Sequence, residues 1–181
     1  MNLLPRPLLI QGSFIIRPVL VWFMKGDRFV DPIDGQGYYS LLPYGYEKQR
    51  DNVLSPGTFS LERHRLMWLY LKNETTFFSR KAKVLHIAPE QSFIKRFRAM
   101  PNLEYITSDL ESPLADVKAD ICDLPFGDDT FDLVFCNHVL EHIPDDHKAM
   151  SELFRVMKPG GWGILQVPIS YQREVTYEDP T

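Results

Sequence analysis

From Val84 onward the chain switches repeatedly between short apolar runs and helix-length segments, and that alternation is the strongest constraint on its fold. Val84–Ile87 reads as a first strand, followed by a helix over Phe93–Met100 with Phe93, Ile94 and Phe97 on one face and Pro101 as its stop. "LEYITSDL" predicts a second strand and Val117–Ile121 a short third. "FDLVFCNH" predicts the fourth. Pro144–Lys158 reads as a helix entered through Asp145 and Asp146 and closed by "KPGG", and "WGILQVPI" as the fifth strand. Strands this continuously apolar belong in a parallel sheet covered on both faces.

A chain of 181 residues holds one good core with room for a small appended module. That module is expected over residues 1–59, an N-terminal arm and a turn-rich region with short aromatic strands; the core is expected over residues 60–181. "SLERHRLMWLYLK" opens the core as a helix, with Ser60 as its N-cap and Leu61, Leu66, Leu69 and Tyr70 at helical spacing. Leu3 to Phe23 is rich in Leu, Ile and Val, yet Arg6, Arg17, Pro5, Pro7 and Pro18 interrupt it. An Arg central to a span costs a few kcal/mol, and no small-residue cleavage site follows an unbroken apolar run. Packing against the core or a partner is expected there, with no stable membrane insertion.

The net charge of -4, with no basic stripe interleaved with aromatics, argues against nucleic acid as a partner. Cys122 and Cys136 are too few for a disulfide framework or a thiolate metal site. Both sit in apolar surroundings and read as buried free thiols of a reducing, cytoplasmic setting.

In open parallel sheets, ligands bind past the carboxyl ends of the strands. The polar residues there are Ala88 to Ser92 after strand one, Asp109 after strand two, Asp120 and Asp123 after strand three, and Asn137 and His138 after strand four. Asp109 falls nineteen residues beyond Glu90, the distance at which an acid accepts ribose hydroxyls in nucleotide-binding folds. Taken singly, an Asp at a strand end is more often a turn or cap residue.

Taken together, Asp120 to Pro168 resembles the second half of a class I S-adenosylmethionine-dependent methyltransferase of the methyltransferase-11 type. "DICDLPFGDDTFDLVF", "LEHI" and "MKPGG" occur in the order that family uses, and the likeness reaches more loosely back to Val84. The resemblance implies a Rossmann-like three-layer α/β/α sandwich with a mostly parallel sheet, here expected to lack the last two strands. It implies S-adenosyl-L-methionine as cofactor and a methyl transfer, class EC 2.1.1, to a small-molecule acceptor. The turn from His86 through Ala88 to Glu90 would hold the methionine end and Asp109 the ribose, with Leu110 a further cofactor-binding residue. Asp120 and the backbone of Ile121 would read the adenine, and Asn137 and His138 would line the methyl-transfer end. The family's first loop is usually D-x-G-x-G-x-G, so His86 replaces an acid and Ala88, Glu90 and Ser92 replace glycines. The cofactor has no pyrophosphate, so glycine's close approach is less strictly required, and Glu90 can accept from its ammonium group.

Two further patterns bear on metal. His138, Glu141 and His142 fit H-x-x-E-H, but zinc hydrolysis needs both His on one helical face, and Pro144 breaks any helix just past His142. Asp31 and Asp34 are followed, after twenty intervening residues, by Ser55 and Thr58, the spacing of a zinc ribbon's paired knuckles. Two carboxylates and two hydroxyls are poor structural zinc ligands, so a degenerate, metal-less ribbon held by Phe29, Tyr38, Tyr39 and Tyr44 is expected. An unrelated turn-rich arm is the other reading.

Methyl transfer needs placement first, and a base where the acceptor is a hydroxyl or amine. His138 and His142 are the candidate bases, with structural roles at the turn as the competing reading. The alternative function is a non-catalytic methyltransferase-like domain that binds the cofactor weakly or not at all. Strand five, apolar from Ile164 to Val167, would be a bare edge if the sheet ended there. Either the chain is a shortened version of a longer protein, or a second subunit or the N-terminal segment covers that edge.

Overall fold

The computed structural model describes residues 16–45 and 48–169, so the start of the apolar N-terminal segment and the polar tail fall outside the described residues. Helical residues 16–24 form α1. There follow β1 (Lys25–Val30), β2 (Gly37–Tyr38), β3 (Leu42–Tyr44), β4 (Arg50–Leu54), α2 (Glu62–Asn73), β5 (Ala82–Ile87), α3 (Gln91–Arg98), β6 (Leu103–Asp109), β7 (Val117–Lys118), β8 (Phe131–Asn137), α4 (Asp146–Val156) and β9 (Met157–Gln166). The chain forms two compact units: residues up to Ser79 with Gln91–Lys95, and Arg80–Glu90 with the chain from Arg96 onward.

The second unit is built on a five-stranded sheet in the order β7-β6-β5-β8-β9, with every pairing parallel. From β5 the chain runs outward through β6 to β7, then returns to the other side of β5 for β8 and β9. The strand order therefore reverses between β5 and β8, which opens a crevice at their carboxyl ends. Strand alternation sends Leu85, Ile87, Val134 and Cys136 to one face, where they meet Ala149, Leu153 and Val156 of α4. On the other face the Phe97 ring of α3 lies 5.5 Å from Tyr105 and 6.1 Å from Phe135, centroid to centroid. Both faces are covered, which is why Val84, Leu85 and Ile87 of β5 and residues 133–136 of β8 are apolar and buried. Burial pushes the Cys136 thiol up to about 12, so it serves here as an apolar spacer.

Most expected elements occur, with shifted ends. The strand expected over Val117–Ile121 stops at Lys118, because Asp120 accepts the Cys122 N–H at 2.8 Å and turns the chain. The helix expected over Pro144–Lys158 is Asp146–Val156, started by Asp145, whose Oδ1 accepts the Lys148 N–H at 2.9 Å. "KPGG" does not cap it. Met157 is already extended, and the segment forms an irregularity inside β9, which advances from Met157 to Trp162 while β8 advances from Phe131 to Leu133. Gly160 supplies the left-handed φ of 78° this needs, and a Cβ at Gly161 would meet Lys158 O at 2.8 Å and Asp132 O at 3.0 Å. Among the described residues β9 pairs only with β8 and is the sheet edge; Leu165, Val167 and Ile169 are exposed.

An ion pair that the sequence does not advertise fixes the loop before β8. Arg155 of α4 pairs with Glu152 through Nε and Nη2, both at 2.7 Å, and also donates to Leu124 O, Phe126 O and Asp128 Oδ1. Glu152 Oε2 accepts the Leu124 N–H at 2.9 Å. The Arg155 guanidinium, ahead of the Leu124 amide, holds the Glu152 carboxyl down at about 2. This stabilisation is present above the ordinary carboxylate pKa of about 4.5 and is lost as pH falls toward about 2. Urea unfolding across that range should show wild type losing its advantage over Glu152→Gln as the pH drops, and a pH-independent gap would contradict it.

The first unit carries two antiparallel pairs, β1 with β2 and β3 with β4. Met24, Tyr38 and Leu41 form its core, with Val21, Phe29 and Leu42 packed on it. Tyr38 is fully buried as expected, whereas Tyr39 is exposed and does not hold the module together. The α2 helix begins after Leu61, not Ser60: the Leu61 N–H donates to His64 Nδ1 at 3.0 Å, and Ser60 Oγ is committed to Asp31. Its buried face is His64, Met67 and Leu71, while Leu66, Leu69 and Tyr70 are exposed. The helix is apolar on two sides, so spacing alone did not identify the buried one. No helix among the described residues is long and apolar enough to cross a membrane.

Of the four ribbon-spaced positions, Asp31 and Thr58 are joined directly by a hydrogen bond. Thr58 Oγ1 and Ser60 Oγ donate to Asp31 Oδ2 at 2.5 and 3.1 Å, and the Ile33 N–H donates to Asp31 Oδ1 at 2.9 Å. Tyr38 OH reaches Asp34 Oδ2 at 3.4 Å, and a Cβ at Gly57 would overlap both of those oxygens. Burial, ahead of the Asp34 and Asp31 charges, raises the Tyr38 phenol to about 12.

Candidate functional site

The crevice between the ends of β5 and β8 is built from residues that the register lines up. The ladder continues one residue past each strand: the Ala88 N–H donates to Ser108 O, and the His138 N–H donates to Gln166 O, both at 2.8 Å. Immediately there the chain turns left-handed, with φ of 48° at Ala88 and 56° at His138. Ala88 thus adopts the conformation that a glycine would take without strain, and it does so in front of Pro89. The first loop keeps a glycine-type turn although it has lost the glycines. A non-glycine residue held this way costs about 1–3 kcal/mol, a cost that concentrates at ligand sites.

His86, Glu90 and Asn137 are brought together. Glu90 Oε2 lies 2.9 Å from His86 Nε2 and accepts the Asn137 Nδ2 amide at 3.3 Å. His86 is fully buried, and its Nδ1 lies 2.7 Å from the Tyr105 hydroxyl. Burial, then the Glu90 charge, drives the Tyr105 phenol well above its ordinary range, so it keeps its proton. Tyr105 is a residue the sequence reading missed. Its one signal is parity: Tyr105, Thr107 and Asp109 share a face of β6, and Thr107 pairs with His86.

Asp109 ends β6 beside this loop. Its Oδ1 accepts the Glu111 and Ser112 N–H groups at 2.8 and 2.6 Å, while Oδ2 has no hydrogen-bond partner among the described residues. Leu110 next to it is an exposed leucine. The Ala119 N–H donates to Asp109 O, which brings Asp120 to the neighbouring strand end. Asp120 is exposed and caps its own turn through Oδ1, and the Ile121 side chain is buried in the core. Asp116 supports the same rim. It accepts the Thr107 N–H and hydroxyl at 3.0 and 2.7 Å and pairs with Arg98.

His138 and His142 belong to different local structures. His138 occupies the turn after β8, its Nδ1 3.2 Å from Glu141 Oε1. His142 ends a single 3-10 turn over Leu140–His142, is exposed, and makes no side-chain hydrogen bond among the described residues. The H-x-x-E-H segment is therefore not a helix with both imidazoles on one face. Among the described residues no group of three or more His, Cys, Asp or Glu side chains is arranged to hold a metal ion.

The ends of β5, β6 and β7 thus carry the acidic residues Glu90, Asp109 and Asp120, all on the β5 side of the strand reversal. That acceptor set suits a ligand bearing an ammonium, a sulfonium and two ribose hydroxyls, with Asp109 Oδ2 not engaged by a donor among the described residues. S-adenosylmethionine fits it.

The family model of the methyltransferase domain matches residues 74–165. A demethylmenaquinone methyltransferase of Clavibacter sepedonicus is 49% identical over 45 residues, 25% of this chain and 18% of that protein. The sterol 4-C-methyltransferase strm-1 of Caenorhabditis elegans is 33% identical over 88 residues, 49% of this chain and 25% of that protein. The chain therefore spans a quarter or less of the length of these two curated relatives. Among solved structures, the YcgJ protein of Bacillus subtilis aligns over 57% of this chain and 50% of its own, at 23% identity and a TM-score of 0.46. The [4+2]-cyclase SpnF aligns over 83% and 56%, at 18% identity and a TM-score of 0.47. The assignment rests on the family match, which covers half of the sequence: the chain belongs to the methyltransferase domain family, whose cofactor is S-adenosylmethionine.

Proposed function

We propose that this chain binds S-adenosylmethionine at the carboxyl ends of β5, β6 and β7 and transfers its methyl group to a small-molecule acceptor approaching past β8. The observation that carries the reading is the set of acidic acceptors at the strand ends, with Glu90 bonded from β8 through Asn137 and Asp109 Oδ2 without a donor among the described residues. Glu90 takes the ammonium of the cofactor's amino-acid end. Asp109 takes the ribose hydroxyls, Leu110 packs against the adenine, and Asp120 with the Ile121 backbone reads the adenine edge. Asn137 anchors Glu90 from the β8 side. The net charge of -4 favours a small acceptor over nucleic acid, and the relatives named above carry a quinone precursor and a sterol in their names.

The cofactor supplies a methyl group already activated on a sulfonium, so the protein's task is placement. Asn137 and His138 border the side from which an acceptor approaches. Where the acceptor is a hydroxyl or an amine, His138 takes its proton through Nε2, while Glu141 on Nδ1 orients the ring. His142 has no such orienting partner among the described residues and is the weaker candidate. The Asp31 cluster is read as a ribbon-derived module in which hydrogen bonds replace the metal.

Calorimetric titration with S-adenosylhomocysteine tests the reading. Micromolar binding is expected; absence of binding up to millimolar ligand would leave the chain a non-catalytic member of its family.

A further inference from the structure

The structure assigns Tyr105 and His86 as positioning residues that hold the Glu90 carboxylate in place to receive the cofactor's ammonium group. The assignment rests on the cofactor reading above and explains how a loop without its usual glycines and first acid can serve it. At the first-acid position stands His86, a fully buried side chain that cannot itself reach ligand in the crevice. The acid instead appears at Glu90, beyond the turn, and His86 Nε2 touches it at 2.9 Å. The acidic group thus stands four residues beyond the family's first-acid position, and the histidine at that position supports it.

Proton accounting fixes the arrangement. Tyr105 keeps its phenolic proton, and His86 Nδ1 at 2.7 Å is the acceptor the structure offers it. With the hydroxyl donating to Nδ1, the neutral imidazole carries its proton on Nε2 and donates it to Glu90 Oε2. A doubly protonated ring would turn Nδ1–H toward the hydroxyl and strand the phenolic proton in a buried setting, which is costly. The Nε2–H tautomer satisfies every proton in line. Phe135 lies edge-on to the His86 ring at 5.6 Å and Tyr105 at 5.9 Å, which restricts the imidazole plane. From the β8 side, Asn137 donates to the same Glu90 oxygen. Two donors on Oε2 fix the carboxylate plane and so the direction in which Oε1 faces.

Two ligands separate this role from general support of the fold. S-adenosylhomocysteine carries the amino-acid end that Glu90 would hold, and 5′-methylthioadenosine lacks it but keeps the adenosine. Tyr105→Phe should weaken S-adenosylhomocysteine about three- to tenfold, and His86→Leu about tenfold or more, while 5′-methylthioadenosine stays within about twofold. His86→Gln, which keeps a donor toward Glu90, should recover part of the loss. Nitrogen-15 NMR of the His86 ring should show a neutral imidazole protonated at Nε2. Tyr105→Phe removes one oxygen and is the variant to trust if His86→Leu fails to fold. Equal losses for both ligands, unchanged S-adenosylhomocysteine binding in Tyr105→Phe, or an Nδ1–H tautomer would each overturn the assignment. Failure of wild type to bind either ligand would overturn the cofactor reading itself, a result distinct from these.

Discussion

Asp109→Ala is expected to reduce S-adenosylhomocysteine binding below the range of calorimetry. A carboxylate accepting two ribose hydroxyls makes two charge-assisted hydrogen bonds of about 1.5–3 kcal/mol each, so about a hundredfold or more in affinity rests on this side chain. The carboxylate has a second task. Its Oδ1 pins the Glu111 and Ser112 N–H groups, and alanine would release that turn. Asp109→Asn separates the two contributions, because its amide oxygen can keep the turn while the charge is gone. Binding should fall in both variants, and the melting temperature should fall mainly in the alanine one. Unchanged affinity in both would remove Asp109 from the site. Asp120→Ala should cost less, since part of the adenine contact belongs to the Ile121 backbone.

Asp31→Ala is expected to be the most destabilising single change in the first unit. Asp31 is 1% exposed and accepts from Thr58, Ser60 and the Ile33 N–H. Deleting the acceptor strips the buried Thr58 and Ser60 hydroxyls of their shared partner, each costing about 1–3 kcal/mol, so the loss should reach about 2 kcal/mol or more in urea unfolding. Thr58→Val removes one donor from a carboxylate that keeps its other two, and should cost about 1.5–3 kcal/mol. Because oxygen donors and acceptors hold these turns, a chelator should leave the melting temperature unchanged. An Asp31→Ala loss within about 0.5 kcal/mol, the size of an ordinary surface change, would show that the cluster does not hold the module.

The parallel sheet was legible because its strands are buried on both faces, and a run such as "FDLVFC" has few other uses. The amphipathic face of α3 was legible for the same reason: Phe93, Ile94 and Phe97 are all buried. "KPGG" misled because a glycine pair after a helix usually caps it, whereas here Gly161 lies against the backbone of Asp132 and serves strand pairing. The α2 face was illegible because apolar residues lie on two sides, and only tertiary contact chooses between them. Arg155 was invisible as a clasp for a further reason: its carbonyl partners Leu124 and Phe126 lie some thirty residues away in sequence. In the candidate site, strand-end logic named Glu90, Asp109 and Asn137 from position alone. It could not reveal that His86 points inward to Tyr105, since that depends on the parity of two adjacent strands.

The most direct measurement is a crystal structure of the chain with S-adenosylhomocysteine. The account predicts the adenosine over the end of β6 with its ribose hydroxyls on Asp109, and the amino group on Glu90 at the crevice between β5 and β8. Ligand bound elsewhere, or both carboxylates clear of it, would contradict the account.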